Sequence, residues 1–231
     1  MSEPTLFEPT TGTLLEAAGE ALRFPVHRVY CVGQNYAAHA REMGVVERQP
    51  PFFFSKPPDA PIQAASVAFP PETANLHYEV ELVVALGRGG RAIAEGDALD
   101  CVYGYAVGVD LTRRDLQTEA KEKGRPWDVA KGFDQSAPLS VIRRAEDIGH
   151  PDRGCIELDV DGESRQSGDL SDMIWPVPAI IAQLSKFFVL CPGDLLFTGT
   201  PEGVGPLRRG ARVECRIEGV ASHQFRIGEP S

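Results

Sequence analysis

The chain contains no Cys-x-x-Cys pair. Its five cysteines stand at 31, 101, 155, 191 and 215, odd in number and set among apolar neighbours. That spacing excludes a paired-cysteine zinc or redox motif, and an odd count does not suit a closed disulfide framework. Reduced, buried thiols are expected, and with them a cytoplasmic location. A basic excess is also missing. There are 23 Lys and Arg against 33 Asp and Glu, a formal net charge of −10. Nucleic acid is not an expected partner, because phosphate binding calls for clustered cations. No apolar run approaches the roughly 20 residues that span a bilayer, so no membrane partner is expected. The opening Met1-Ser2-Glu3-Pro4 is acidic and precedes no apolar h-region, so a signal peptide is not expected. No internal repeat, low-complexity tract or P-loop ending is present.

What remains is ordinary globular material, 231 residues of which 42% are hydrophobic and 24% charged. Residues 1 to 25 read as a short leader carrying one amphipathic segment, Leu14 to Leu22, and residues 26 to 231 as one domain. Strands are expected at 28–32, 52–55, 76–86 and 101–110. Further strands are expected at 155–160, 163–166, 194–197, 211–217 and 221–227. Asp161-Gly162 is a two-residue hairpin signal. Helices are expected at 36–43, with Asn35 as N-cap and Gly44 after the C-cap. Others are expected at about 113–123, capped by Thr112, and at 178–188. Strands outnumber helices without alternating with them, which points to an α+β, predominantly β, fold.

The most informative stretch is Leu76-His77-Tyr78-Glu79-Val80-Glu81-Leu82-Val83-Val84-Ala85-Leu86. Side chains two apart on a strand share a face, so His77, Glu79 and Glu81 lie together while Tyr78, Val80 and Leu82 enter a core. Two carboxylates side by side repel, and either solvent or a hard cation relieves them. Asp110 ends an apolar strand, where it is either a turn-capping residue or a third carboxylate for the same cation. Three carboxylates with positions left for water or substrate suit Mg²⁺ or Mn²⁺ and not zinc or copper. His39 and Glu42, three apart on a helix, form either a surface pair or a base held by its acid. Lys131, flanked by Trp127 and Phe133, is either a snorkelling lysine or a partly buried ammonium. The Gly- and Pro-rich turn from Thr198 to Pro206 offers amides and hydroxyls to a carboxylate.

Taken in order along the chain, these segments resemble the fumarylacetoacetate hydrolase family, in its short acylpyruvate and fumarylpyruvate hydrolase branch. The matching stretches run from Tyr30 to Met43, Phe53 to Pro57, Leu76 to Leu82, Gly108 to Gln117, Ala130 to Asp134 and Thr198 to Gly205. The resemblance covers residues 26 to 228. It implies a mixed β-sandwich roll of that family's C-terminal domain type, in a homodimer, with residues 26–231 as the catalytic domain. It implies that Glu79, Glu81 and Asp110 ligate Mg²⁺ or Mn²⁺. It further implies that His39 and Glu42 activate water on a substrate-ordered lid and that Lys131 acts in catalysis. Gln117, Thr200, Arg114 and Asn35 would meet the substrate. Gln34 departs from the family's usual Arg before Asn-Tyr, which bears on a charge contact and on preference for a diacid.

The implied reaction is cleavage of the C3–C4 bond of a 2,4-dioxo acid, with fumarylpyruvate first in line. It gives pyruvate and a carboxylic acid through a metal-bound pyruvate enolate. The alternative is an oxaloacetate decarboxylase, or an isomerase of a related oxo-acid, on the same metal site. His77 is assigned to orienting one of the glutamates.

Overall fold

The structure is a computed structural model that describes Leu6, residues 12–36 and residues 50–229. Its centre is a six-stranded mixed sheet. The strands run, in spatial order, Arg143–Arg144, Val102–Val109, Val80–Leu86, Asp194–Phe197, Arg28–Gly33 and Phe52–Lys56. Asp194–Phe197 pairs parallel with Arg28–Gly33 and antiparallel with Val80–Leu86.

This sheet is buried on both faces, which explains why its strands read as continuous apolar runs. Alternation sorts the side chains into two cores. Tyr30, Val32, Leu82, Val84, Val107 and Leu196 enter a large core. A second sheet covers that face, in the order Glu163–Asp169, Cys155–Val160, Arg212–Ile217, Ala221–Gly228 and Ser66–Ala68. Val29, Cys31, Val83, Ala85, Ala106 and Phe197 enter a smaller core on the opposite face. The mixed sandwich expected from the sequence is therefore present.

The Asp161-Gly162 signal is correct. Both residues have positive φ, 54° and 81°, and they join Cys155–Val160 to Glu163–Asp169 as an antiparallel hairpin. The apolar helix runs over Val177–Phe187.

Four expectations change. The amphipathic segment of residues 14–22 is met as a short strand and turns. Leu14–Leu15 pairs with Phe24–Pro25, and Leu15, Ala17 and Phe24 are buried in the smaller core. Packing thus runs straight through the boundary drawn at residue 25. The strand drawn over 76–86 breaks at Glu79. Leu76–Tyr78 leaves the central sheet to lie between Thr112–Arg113 and Gly205–Pro206. Thr112 does not cap the following helix, because it is paired with His77. The helix covers Arg114–Glu122, and its start is tied down by Asp115, which accepts from Thr73 Oγ1 at 2.6 Å and from Ala74 N at 3.0 Å. All five cysteines are free, as expected, but only Cys31, Cys101 and Cys215 are buried, while Cys155 is exposed. No helix among the described residues is long and apolar enough to cross a membrane.

Candidate active site

The side-chain alternation that builds the smaller core also builds the site. Glu79 and Glu81 continue the row of Val83 and Ala85, so both carboxylates emerge on that face of the sheet. Val80 pairs with Val109, and the ladder extends one step further through Asp110 N donating to Glu79 O at 2.8 Å. Asp110 therefore comes out beside Glu79. Carboxylate oxygens of Glu79, Glu81 and Asp110 all lie within 4.8 Å of one another, and all three residues are buried.

Third in the row of strand ends is Asp194–Phe197. Beyond it Thr198 N donates to Leu82 O at 3.1 Å, and Gly199 N donates to Glu81 Oε2 at 2.7 Å. Gly199 holds φ at 96°, and a Cβ there would lie 2.6 Å from Asn35 Cβ. Asn35 is wholly buried. Its Nδ2 donates to Trp175 O at 2.9 Å and Thr198 O at 2.7 Å, and its Oδ1 accepts from Trp175 N at 2.8 Å. Its amide is committed to main chain, so it clamps the Thr198 turn rather than offering groups to a ligand.

Three cations answer two of the three carboxylates, Glu79 and Asp110. Lys131 Nζ donates to Glu79 Oε2 at 2.9 Å and to Asp110 Oδ2 at 2.7 Å. Burial works against its charge, but Asp110 and Glu79 outweigh it and raise its pKa, so Lys131 is an ammonium. Arg114 bonds Glu79 Oε1 through one nitrogen and Gln117 Oε1 through another. Lys56 Nζ lies 2.8 Å from Asp110 Oδ1 and donates to the carbonyls of Leu111 and Lys131.

Among the described residues no cation pairs with Glu81. Burial, then Asp110 and Glu79, push its carboxyl well above the usual carboxylate range. Asp110 Oδ1 is buried and, beyond its ion pair with Lys56, accepts no directed hydrogen bond among the described residues. A hard divalent cation fits this donor set. It supplies charge where Glu81 has none, and it takes up an oxygen left over by hydrogen bonding. With three carboxylates already balanced by three cations, adding it leaves the site positive and suited to an anion.

The cluster opens at Glu79 into a cleft that Gln117, Thr200, Lys131 and Arg114 help to line. Thr200 Oγ1 accepts from Gln166 Nε2 at 2.8 Å, which leaves its own proton to donate. The Gln117 amide nitrogen has no partner among the described residues.

The structure thus brings together Glu79, Glu81, Asp110, Lys131, Arg114, Gln117 and Thr200, as the sequence suggested. His39 and Glu42 lie outside the described residues, as does most of the helix expected at 36–43. His77 is not aimed at a glutamate. Its Nε2 lies 3.0 Å from Asn75 Oδ1, its Nδ1 has no partner among the described residues, and burial and the Arg114 guanidinium hold its pKa down to about 4.

Lys56 and Gln166 went unassigned in the sequence. Gln166 is buried in a polar strand, accepts from Val80 N at 2.9 Å and donates to Thr200 and Pro201. A lysine closing the aromatic strand Phe52–Lys56 was the available signal for Lys56. For Gln166 it was an amide at an inward position of the hairpin.

Comparison with known proteins agrees with this geometry. The family described as "Fumarylacetoacetate (FAA) hydrolase C-terminal" matches residues 28–227. A fumarylpyruvate hydrolase from a Ralstonia species is 44% identical over 77% of this chain and 92% of its own. The mitochondrial oxaloacetate tautomerase of Homo sapiens is 43% identical over 87% of this chain and 92% of its own. A crystal structure of fumarylpyruvate hydrolase from Pseudomonas aeruginosa, in complex with Mn²⁺ and pyruvate, is 50% identical. It covers 98% of this chain and 100% of its own, with a TM-score of 0.95.

Proposed function

The chain belongs to the fumarylacetoacetate hydrolase family and is a hydrolase, and from that premise we propose that it cleaves 2,4-dioxo acids, fumarylpyruvate first among them, to pyruvate and a carboxylic acid. The observation that carries this reading is the convergence of three buried carboxylates, two of them bonded to Lys131, beside a cleft that Glu79 and Lys131 line together with Gln117 and Thr200.

Glu79, Glu81 and Asp110 would hold Mg²⁺ or Mn²⁺. Bound there, the cation supplies Lewis-acid polarisation of the oxygens of a 2-oxo acid. Lys131 has three N–H donors, of which Glu79 and Asp110 take two. The third serves negative charge gathering on the pyruvoyl half as the C3–C4 bond breaks. Gln117 Nε2 and the Thr200 hydroxyl orient the substrate carboxylate. Arg114 holds both Glu79 and Gln117 in place. His39, oriented by Glu42, would take a proton from the water that attacks C4; the electron pair of the broken bond goes to C3, which is then protonated. This dyad rests on the family resemblance.

A second reading is favoured by the human relative named as an oxaloacetate tautomerase. Keto–enol exchange of oxaloacetate, or its decarboxylation, develops charge at the same oxygens and needs no attacking water. The homodimer is likewise proposed, with exposed Phe187, Phe188 and Val189 as the apolar surface to be covered.

The deciding experiment offers acetylpyruvate, fumarylpyruvate and oxaloacetate to the protein with Mg²⁺ or Mn²⁺. Hydrolysis is followed by pyruvate release and tautomerisation by loss of enol absorbance. Metal-dependent release of pyruvate from the dioxo acids is expected. Turnover of oxaloacetate alone would overturn the hydrolase reading in favour of the second one.

A further inference from the structure

The cleft has a second charged end. Arg114, Gln117 and Lys121 stand at i, i+3 and i+7 of the Arg114–Glu122 helix, so they share one face. All three line the cleft. Arg114 is at the metal end, committed to Glu79 and Gln117. Lys131 is committed to Glu79 and Asp110.

Lys121 is different. Among the described residues it makes no ion pair, and its Nζ sits 5.0 Å from the centre of the Trp127 ring. It is exposed, at the mouth. Seven residues of helix separate it from Arg114, about 10 Å at 1.5 Å per residue. Between the two ends the wall is largely aromatic, from Phe52, Phe54 and Trp127. Phe52 and Phe54 each pack against Trp127, with ring centres 5.5 and 5.7 Å apart.

A linear molecule held by its 2-oxo acid end at the carboxylate cluster would thus lay its middle on aromatic rings and bring its far end to an uncommitted ammonium. We propose that Lys121 is a specificity-determining residue that binds the distal carboxylate of a dicarboxylic substrate, so that the enzyme is selective for diacids over monoacids of equal length. The orientation of the ligand rests on the proposed function. The selectivity does not depend on which bond is cleaved. Trp127 contributes by holding the ammonium over its face, which fixes where the charge is presented.

The test uses two seven-carbon acids that lack the 4-oxo group and so cannot be cleaved, 2-oxoheptanedioate and 2-oxoheptanoate. Their binding to the Mn²⁺-loaded protein is measured by calorimetry. Wild type should prefer the diacid by about fivefold, the upper end for one solvated ion pair. Lys121→Met should bring the ratio to within about twofold, and Lys121→Arg should keep most of it.

The proposal is overturned if wild type shows no preference, if Lys121→Met keeps the wild-type ratio, or if it weakens both ligands equally. In parallel, the ratio of kcat/KM for fumarylpyruvate over acetylpyruvate should fall by a similar factor in Lys121→Met, mainly through KM. Should wild type cleave neither dioxo acid, the functional reading fails, while the binding ratio still decides the role of Lys121.

Discussion

Lys131 and Asp110 meet at 2.7 Å, Nζ to Oδ2, where the lysine is 2% exposed and the aspartate not at all. Neither charge is tolerable there alone. The lysine sits between two of the proposed metal ligands, so its removal separates catalysis from metal binding. In Lys131→Met the carboxylate cluster keeps its three acids and loses a competing cation. Affinity for Mn²⁺ should hold or tighten, while kcat for dioxo-acid cleavage falls by about 10²–10³. A metal-saturated variant within tenfold of wild type would remove Lys131 from the reaction.

Chelation should abolish activity, and Mg²⁺ or Mn²⁺ should restore it. The raised carboxyl of Glu81 gives this a sign in pH. In the metal-free protein the folded state keeps a proton on Glu81 at pH values where the unfolded chain has released it. Between the ordinary value of 4.5 and the raised folded value, the folded state binds more protons, so this group's contribution to stability is lost as pH rises. Metal replaces that proton. The midpoint of thermal unfolding of the metal-free protein should therefore decline as pH rises above 4.5, and Mn²⁺ or Glu81→Gln should flatten the decline. Calorimetric titration of Mn²⁺ should register proton release. Binding with no proton release would contradict an ionising Glu81.

His39→Ala separates the two activities. Hydrolysis needs an activated water and should fall by about 10²–10⁴. Decarboxylation of oxaloacetate needs none and should fall less than tenfold. Equal losses in both would show that His39 does not act through water.

Asn35→Ala tests the clamp. Three hydrogen bonds to main chain disappear in a fully buried place. A loss of roughly 2–4 kcal/mol is expected. For a chain of this length that lowers the unfolding midpoint by about 5–15 °C. A midpoint within 2 °C of wild type would mean that the turn does not depend on Asn35.

Much of this was legible in the chain because strands and carboxylates obey local rules. Alternation placed Glu79 and Glu81 on one face, and Asp161-Gly162 marked its hairpin from two residues. The convergence of Asp110 with them was only one of two open readings, since pairing of distant strands is a tertiary fact. The break at Glu79 had no local sign, because both halves of Leu76–Leu86 have strand character and only Thr112 and Gly205 draw the first half away. Lys56 and Gln166 were missed for a related reason. Each satisfies groups supplied by segments more than thirty residues away, and neither has a distinctive neighbour in sequence. What the leader packs against was not legible either, since nothing local shows that Leu15, Ala17 and Phe24 help to close the smaller core.

Gly199 shows where this site can and cannot vary. The group that aims Glu81 is a peptide N–H, so no exchange of side-chain chemistry elsewhere can delete it. At Gly199 itself any side chain meets both an unfavourable φ and the flank of Asn35. Substrate preference can therefore drift along the outer cleft, at Gln34, Phe52 or Lys121, while the direction of this acid is inherited unchanged from the turn of the backbone.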